Sequence, residues 1–191
     1  MFWGGDMAHA KVSRNEVLDH ALDLFRTFGY EGTSLSALSA ATGLEKPSLY
    51  FRFPGGKEEI VLAVLAGVVD FFTESVFRPL LTSDSPRSRV IAAAKGLRTF
   101  YGDGAKSCVT DVLSLAGGSP RIEEALNGIM RAWLDAFTEI ARESGLTPGQ
   151  ARLRAQDAIV SLEGSLVVSR LLGDTRMFHR VLAGLPDLLT K

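Results

Sequence analysis

The chain has 191 residues, a formal net charge of −1 at pH 7 and a hydrophobic fraction of 46%. This length accommodates one domain or a small domain fused to a larger one, and the apolar fraction is sufficient for a buried core. The balanced charge does not favour a nucleic-acid partner, because such proteins usually carry an excess of Lys and Arg. The first 60 residues hold six basic and eight acidic side chains. DNA binding would therefore have to depend on where the charges lie.

No run of 18 apolar residues predicts a membrane span, and the start of the chain lacks the successive regions of a secretory signal. We expect residues 1–10 to form a flexible tail. The single cysteine, Cys108, excludes an internal disulfide and fits a cytoplasmic location. The three histidines and Cys108 show no metal-ligand spacing, so we expect neither a metal nor another cofactor.

Glycine and proline divide a chain that otherwise has helical periodicity, and no alternating run is long enough for a strand. The first helix is predicted over 14–28 and ends at Gly29, a residue suited to a left-handed cap. Nine helices are expected in all. The other eight are predicted near 36–42, 46–53, 57–77 (stopped by Pro79), 86–101, 108–116, 120–144, 148–172 and from 175 onward. The fold class is all-α, with a compact three-helix unit at 11–56 and a six-helix bundle at 57–191.

The second and third helices form a helix-turn-helix pattern around the tight turn Gly43-Leu44-Glu45. The second helix of such a pair enters the major groove with its N-terminus first. The residues placed at base edges are Glu45, Lys46, Pro47 and Ser48, with Tyr50, Phe51 and Arg52 along the flank. Ser34 and Ser36 can bring hydroxyls to a phosphate. On this geometry alone, a simple corner between two helices is an equally good interpretation.

The N-terminal unit contains an ordered series of short motifs: Phe25, Gly29-Tyr30, Thr33-Ser34, Ala40-Ala41-Thr42-Gly43-Leu44, Ser48-Leu49-Tyr50 and Lys57-Glu58-Glu59-Ile60. In these residues the unit resembles the DNA-binding domain of the TetR/AcrR repressor family. The resemblance implies a homodimeric repressor that binds a palindromic operator in double-stranded DNA. It also implies that a small, hydrophobic inducer releases the operator by binding in a C-terminal bundle, which also forms the dimer.

Two departures from the commonest family pattern are informative. The run Pro54-Gly55-Gly56-Lys57 has one residue more than usual and resembles the LmrA/YxaF-type subgroup, as do Trp133, Gly145 and the run 162–166. Ser36 is short where many relatives carry a long polar residue. We therefore expect the base contacts to come mainly from Lys46, Pro47, Ser48 and Tyr50.

The Gly-Gly-Lys run is not a phosphate-binding loop of the nucleotide type. Such a loop needs a glycine five residues before the Gly-Lys pair and Ser or Thr after it, and these positions hold Phe51 and Glu58. The resemblance implies instead that Lys57 contacts a DNA phosphate. We expect five cations to share the DNA-facing side, about ten per dimer, enough for salt-dependent binding: Lys11, Arg14, Lys46, Arg52 and Lys57.

Aromatic and soft residues recur at helical spacing in the fourth to seventh helices. For any one of them, ordinary core packing is the simpler interpretation, and the alternative is the wall of a ligand pocket. The predicted ligand-binding residues are Phe71, Phe100, Tyr101, Cys108, Met130, Trp133, Phe137 and Glu163. The fourth helix would connect this pocket to the DNA-binding unit.

The eighth helix is apolar on most sides around Glu163, which predicts that it is buried. A carboxylate there needs a partner; we expect an arginine, with contact to a polar or cationic ligand as the alternative. The resemblance implies that the last two helices of each protomer form the dimer interface. The residues expected there are Ser161, Gly164, Ser165, Val168 and Leu172.

Cys108 has no basic neighbour closer than Lys106, which favours a small buried residue over a redox sensor. An enzyme is the first rival hypothesis, but we find no nucleophile motif, no phosphate loop and no paired carboxylates. A helical adaptor with a vestigial helix-turn-helix is the second.

Overall fold

The computed structural model describes residues 12–115 and 119–191. Within them the chain forms nine α-helices and no strands, which confirms the all-α prediction. The helices are α1 (Arg14–Gly32), α2 (Leu35–Thr42), α3 (Lys46–Arg52), α4 (Gly56–Leu80), α5 (Pro86–Phe100), α6 (Val109–Ser114), α7 (Pro120–Glu143), α8 (Pro148–Leu172) and α9 (Arg176–Thr190). The predicted flexible tail at 1–10 lies outside the described residues.

Helix α1 begins with a reciprocal cap. The Glu16 amide donates to the Ser13 hydroxyl (3.1 Å), and the Glu16 carboxylate accepts from the Ser13 amide (2.6 Å). Gly29 has the positive φ (67°) that the prediction requires, but its ψ of −171° lies outside the left-handed helical region. The helix does not end there, however: after this kink one further turn continues to Gly32.

Helix α2 packs on α1, and α3 packs on α2, around a small apolar core. Ser34 caps α2 by accepting from the Ala37 amide, and Gly43 ends it in the left-handed conformation. Leu38, Leu49 and Phe53 are fully or almost fully buried. The sequence therefore places the turn of the helix-turn-helix correctly.

Helix α4 does not stop at Pro79 as predicted; it extends to Leu80 through one turn of π-helix, Thr73–Phe77. Pro79 has no backbone N–H to donate to the Ser75 carbonyl four residues earlier. The Arg78 amide instead donates to the Thr73 carbonyl, five residues earlier. Helix α5 approaches this turn so closely that a Cβ on Gly96 would lie 2.1 Å from the Ser75 carbonyl oxygen.

The same helix α4 is long and apolar enough to cross a membrane, judged by length and composition alone. An 18-residue window of it has a mean hydropathy of 2.0, and 39% of that window is buried inside the fold. Helix α4 packs against α1 and α7, and eight of its residues belong to the core. A core helix of this kind passes the same test of length and composition.

Helices α4, α5, α7, α8 and α9 form the C-terminal bundle. Helix α7 packs on α8, and α9 packs on both α8 and α5. A buried guanidinium fastens the end of α4 to this bundle: Arg89 donates to the Leu80 carbonyl (2.7 Å) and pairs with Glu143 of α7. The division into domains at residues 56 and 57 remains a prediction.

Candidate nucleic-acid interface and ligand cavity

The outward face of α3 lies opposite its buried residue, Leu49. Pro47, Ser48 and Phe51 share this face, because residues three and four apart lie together on a helix and Phe51 is half a turn from Leu49. All three are exposed, as is Lys46 at the first turn. The ring of Phe51 is 89% exposed. The sequence placed Phe51 only on the flank of the helix, although its distance of two residues from Leu49 already points it outward.

The other predicted DNA-facing residues have mixed surroundings. Tyr50 is 51% exposed and stands beside Gly56 at the start of α4. Glu45 occupies the cap position of α3 without making a side-chain cap hydrogen bond. Ser36 is exposed, and the Ser34 hydroxyl accepts from the Ala37 amide.

In three of the five predicted cations, the charged group contacts other residues of the chain. Arg14 donates to the Arg52 carbonyl (3.0 Å) and lies over the Phe53 ring at 4.3 Å. Arg52 donates to the Val12 carbonyl. Lys57 donates to the Tyr30 carbonyl (2.9 Å), with its ammonium 4.1 Å from the centre of the Tyr30 ring. These contacts hold the segment before α1, the end of α3 and the start of α4 together.

Lys46 differs from these three, because within residues 12–115 and 119–191 its ammonium makes no hydrogen bond or ion pair. It is exposed at the first turn of α3. The fifth predicted cation, Lys11, lies outside the described residues.

A cavity lies inside the C-terminal bundle, between α4, α7 and α8. About 340 Å³ of space there, open solvent at its mouth included, is not filled by atoms, but the part that the centre of a water molecule can reach is only about 20 Å³. This is room for roughly one water. The residues that line it are Phe72, Tyr101, Thr110, Ile129, Met130, Trp133, Ile159, Leu162 and Glu163.

Four of the eight predicted ligand residues line this cavity: Tyr101, Met130, Trp133 and Glu163. The other four do not. Phe71 and Phe100 line a separate groove between α1, α4 and α5. Phe137 is buried behind Trp133 at a ring distance of 5.3 Å, and Cys108 is buried without reaching the cavity wall. Helical spacing identified which residues share an apolar helix face, but not which of them line the cavity.

The expected arginine partner of Glu163 is not found among the described residues, which corrects that prediction. Its Oε2 atom is buried and has no hydrogen-bond partner in the parts of the chain that the structure describes. Burial raises the pKa of Glu163 above its usual range, with the Cys108 thiol opposing and Asp111 adding to the shift. The carboxylate is therefore poorly stabilised where it lies.

Cys108 is a small buried side chain, as predicted. Its Sγ lies 2.9 Å from the Thr110 hydroxyl and 3.6 Å from that of Tyr101. Burial, with a contribution from Glu163, raises the pKa of the thiol to about 11. A thiol in this state forms little thiolate at neutral pH, which disfavours redox sensing.

A chain of ring contacts connects the cavity to α1. Trp133 packs edge-on against Phe72 (4.8 Å between ring centres), and Phe72 packs against Phe100 (4.5 Å). The Arg26 guanidinium of α1 lies 4.4 Å from the centre of the Phe100 ring and donates to the Phe100 carbonyl (3.1 Å). Arg26 is only 7% exposed, and burial lowers its pKa. Besides α4, α1 itself thus contacts the bundle.

Comparison with known proteins identifies the family. The family model of the bacterial regulatory proteins of the TetR family matches residues 17–64, which cover most of α1 through the first half of α4. The model of the C-terminal domain of LmrA/YxaF-like transcriptional regulators matches residues 101–183. The chain belongs to the TetR family.

Full-length relatives of this TetR-family chain are transcriptional regulators. The HTH-type transcriptional regulator LmrA of Bacillus subtilis is 24% identical over 188 residues, which cover 94% of this chain and 97% of LmrA. YxaF of the same organism is 23% identical and is covered to 96% of its length. The family's regulatory, DNA-binding character and the resemblance to the LmrA/YxaF type are therefore confirmed.

Solved TetR structures share the fold. A TetR regulator from Legionella pneumophila superposes with a TM-score of 0.83 at 19% identity, covering 93% of this chain and 97% of that chain. A cysteine mutant of the TetR-family regulator CifR, complexed with 26-bp operator DNA, gives a TM-score of 0.71 at 26% identity, covering 94% and 96%.

The outer face of α8 in this TetR-family chain carries apolar side chains that nothing within the described residues covers. Leu153, Val160, Leu171 and Leu172 are 60–76% exposed. Of the predicted dimer residues, Ser161, Gly164 and Leu172 are exposed and Val168 is half-buried. Ser165 is buried within the protomer, where its hydroxyl donates to the Leu162 carbonyl (2.7 Å).

Proposed function

We propose that this TetR-family regulator is a cytoplasmic repressor that binds a palindromic operator as a homodimer and is released by a small, largely hydrophobic ligand. The observation that carries the proposal is the exposed outward face of α3, supported by a buried core and joined by α1 and α4 to a bundle with its own cavity. The operator complex of CifR supports DNA as the partner.

The DNA contact is assigned first to Lys46, Pro47, Ser48 and Tyr50, with Phe51 added because of its exposure. Lysine can donate to guanine acceptors, serine and tyrosine hydroxyls reach bases or phosphates, and apolar groups contact the thymine methyl. Glu45, beside them, disfavours some bases through its negative charge.

The phosphate contacts are assigned to the rim of this surface. They are Ser34, Ser36, Arg52 and Lys57. Because Arg52 and Lys57 also donate to the Val12 and Tyr30 carbonyls, they position the recognition helix as well as contacting phosphates. The DNA-binding domain in this proposal is 11–56, and residues 57–191 bind ligand and dimerise.

The second copy of the chain is assigned to the outer face of α8. Exposed apolar side chains at Leu153, Val160, Leu171 and Leu172 give this helix a surface that a monomer leaves in water. Gly164 lies between them with open space around it, so a partner helix can approach closely there. A twofold interface would place two recognition helices on successive half-sites of a palindrome.

The ligand is assigned to the cavity between α4, α7 and α8. Because the cavity holds about one water, a larger ligand must displace wall residues such as Phe72 and Trp133. Phe72 contacts Phe100, which holds Arg26 of α1. Displacement therefore changes how the DNA-binding domain is seated on the bundle, and a ligand that binds this state better weakens repression by the same free energy.

Selection from a random duplex pool, followed by gel shift at increasing salt, tests the proposal. We expect a palindromic sequence to be enriched, with affinity that falls as salt rises. The double variant with Lys46→Ala and Tyr50→Ala should lose the selected sequence. Lys95→Ala is the matched control, since Lys95 is an exposed lysine of α5. Absence of enrichment at low salt, or equal loss in the control, would contradict DNA binding through α3.

A further inference from the structure

The wall of the cavity contains an acidic side chain and no basic one among the described residues. Glu163 is the only ionisable carboxylic acid in its wall, and no Lys, Arg or His lines it within the described residues. The Glu163 Oε2 atom is buried without a hydrogen-bond partner there. Asp111 lies near enough for its charge to raise the pKa of Glu163 further. The side chains that line the cavity therefore offer a negative group and no positive one.

A carboxylate oxygen that is buried without a hydrogen-bond partner, as Glu163 Oε2 is, costs free energy because it loses hydration and gains nothing in return. A cationic ligand that donates hydrogen bonds would remove this cost. An anionic ligand would increase it by like-charge repulsion. A neutral apolar ligand would leave the carboxylate as unsatisfied as before.

The rest of the wall suits the body of such a cation. Phe72, Tyr101 and Trp133 supply aromatic surface, and Ile129, Ile159 and Leu162 supply aliphatic surface. Aromatic rings attract cations through the negative charge of their faces, most strongly in a site from which water is excluded. The small free volume limits the ligand to a compact molecule unless several helices move.

We propose that this cavity recognises a compact organic amine in its protonated form, with the ammonium group on Glu163 and the apolar body against Trp133. The assignment rests on the proposed ligand-release function and gives it a ligand class. It replaces the expected arginine partner of Glu163 with a partner that arrives from solution.

Three probes of one skeleton test the charge preference: 2-phenylethylammonium, the neutral 2-phenylethanol and the anionic phenylacetate. Calorimetry measures their affinities, and Trp133 fluorescence gives a second readout. The chain has two tryptophans, so a Trp3→Phe variant leaves Trp133 as the only reporter. We expect the ammonium to bind at least tenfold more tightly than the alcohol and the carboxylate to bind most weakly.

The variant Glu163→Gln keeps the shape of the side chain and removes its charge. It should abolish the preference for the ammonium while leaving the affinity for 2-phenylethanol within about twofold. Asp157→Asn, at an exposed carboxylate of α8, is the matched control and should keep the preference. Equal binding of ammonium and alcohol, tighter binding of the carboxylate, no binding of any probe, or a preference that survives in Glu163→Gln would overturn the proposal.

The outcome is separable from that of the proposed repressor function. Without ligand, Glu163→Gln should bind the selected operator with wild-type affinity, because the residue lies in the bundle and not on α3. If the ammonium binds through Glu163 but no operator is ever selected, the ligand assignment holds and the repressor function fails. If an operator is selected and the ammonium shows no preference, only the ligand class fails.

Discussion

The contact between Gly96 and the π-helical turn of α4 can be tested by adding one methyl group. In Gly96→Ala the new Cβ would lie 2.1 Å from the Ser75 carbonyl oxygen, 2.7 Å from its carbonyl carbon and 3.1 Å from its Cβ. Carbon and carbonyl oxygen normally approach to about 3.3 Å at closest, so α5 and α4 must separate by roughly 1 Å. The obstacle is backbone, which cannot rotate away as a flexible side chain can.

The expected loss of stability follows from two opposing effects. Overpacking of this kind costs about 1–3 kcal/mol, and the backbone clash favours the upper end. The higher helix propensity of alanine over glycine stabilises the folded state by about 1 kcal/mol. We therefore expect Gly96→Ala to lower the free energy of unfolding by about 2 kcal/mol, which corresponds to a Tm lower by roughly 4–8 °C for a chain of this size.

Gly128→Ala is the matched control, because Gly128 is an exposed glycine inside α7 with nothing within 4 Å of an added Cβ. It should raise the free energy of unfolding by about 1 kcal/mol. Urea denaturation and thermal melting at equal protein concentration measure both variants. If Gly96→Ala were as stable as the wild type, or if both variants shifted in the same direction, the close contact between α4 and α5 would be refuted.

Three further predictions concern the DNA surface, the link to α1 and the cavity. Replacing a contacted thymine by deoxyuridine removes one methyl group, whose burial is worth about 0.8 kcal/mol. The wild type should therefore bind the modified operator roughly fourfold more weakly, whereas the affinity of Phe51→Ala should not change. An equal loss of affinity in both proteins would show that Phe51 does not contact a thymine. A double-mutant cycle of Arg26→Met and Phe100→Leu, followed by urea denaturation, should give a coupling energy of about 1 kcal/mol, because the guanidinium lies over that ring. If the losses in unfolding free energy of the two single variants simply added in the double variant, the contact would be excluded. The pKa of Glu163 is raised above 4.5, so its contribution to stability is fully present below pH 4.5 and is lost as pH rises through the folded-state pKa. The Glu163→Gln variant should thus be more stable than the wild type at neutral pH, and the difference should shrink as pH falls towards 4.5. A difference in stability that does not depend on pH would argue against a destabilised carboxylate.

The helix-turn-helix was predictable from the sequence because its determinants are local. Gly43 adopts the left-handed conformation that ends α2, and Leu38 and Leu49 are buried at the spacing that the pattern requires. Gly29 likewise has the positive φ expected of it. Where a few neighbouring residues decide the backbone, periodicity and capping rules are sufficient.

The features that sequence missed depend on residues far apart in the chain. Pro79 predicted a helix end, but the structure continues through a π-helical turn against which Gly96, in the next helix, packs. The spacing that grouped Phe71 and Phe137 with the ligand residues identifies a helix face but cannot show which neighbour covers it. For Glu163 the sequence showed a need for a partner and could not show that none of the described arginines reaches it.

The near-neutral composition, which does not favour DNA binding, could be interpreted only once the positions of the charged side chains were known. Arg14, Arg52 and Lys57 are counted as cations in the composition, yet all three contact backbone carbonyls or aromatic rings of the protein. Lys46, by contrast, is exposed at the first turn of α3. A near-neutral chain can thus present a positive group where the recognition helix begins.

The central claim is that two copies of α3 read one palindrome. The most direct test is a titration of the selected duplex, intact or with one half-site scrambled, with stoichiometry measured by native mass spectrometry. The account predicts two protomers on the intact duplex and a loss of at least tenfold in affinity when either half-site is scrambled. One protomer per duplex, with equal affinity for both duplexes, would contradict it.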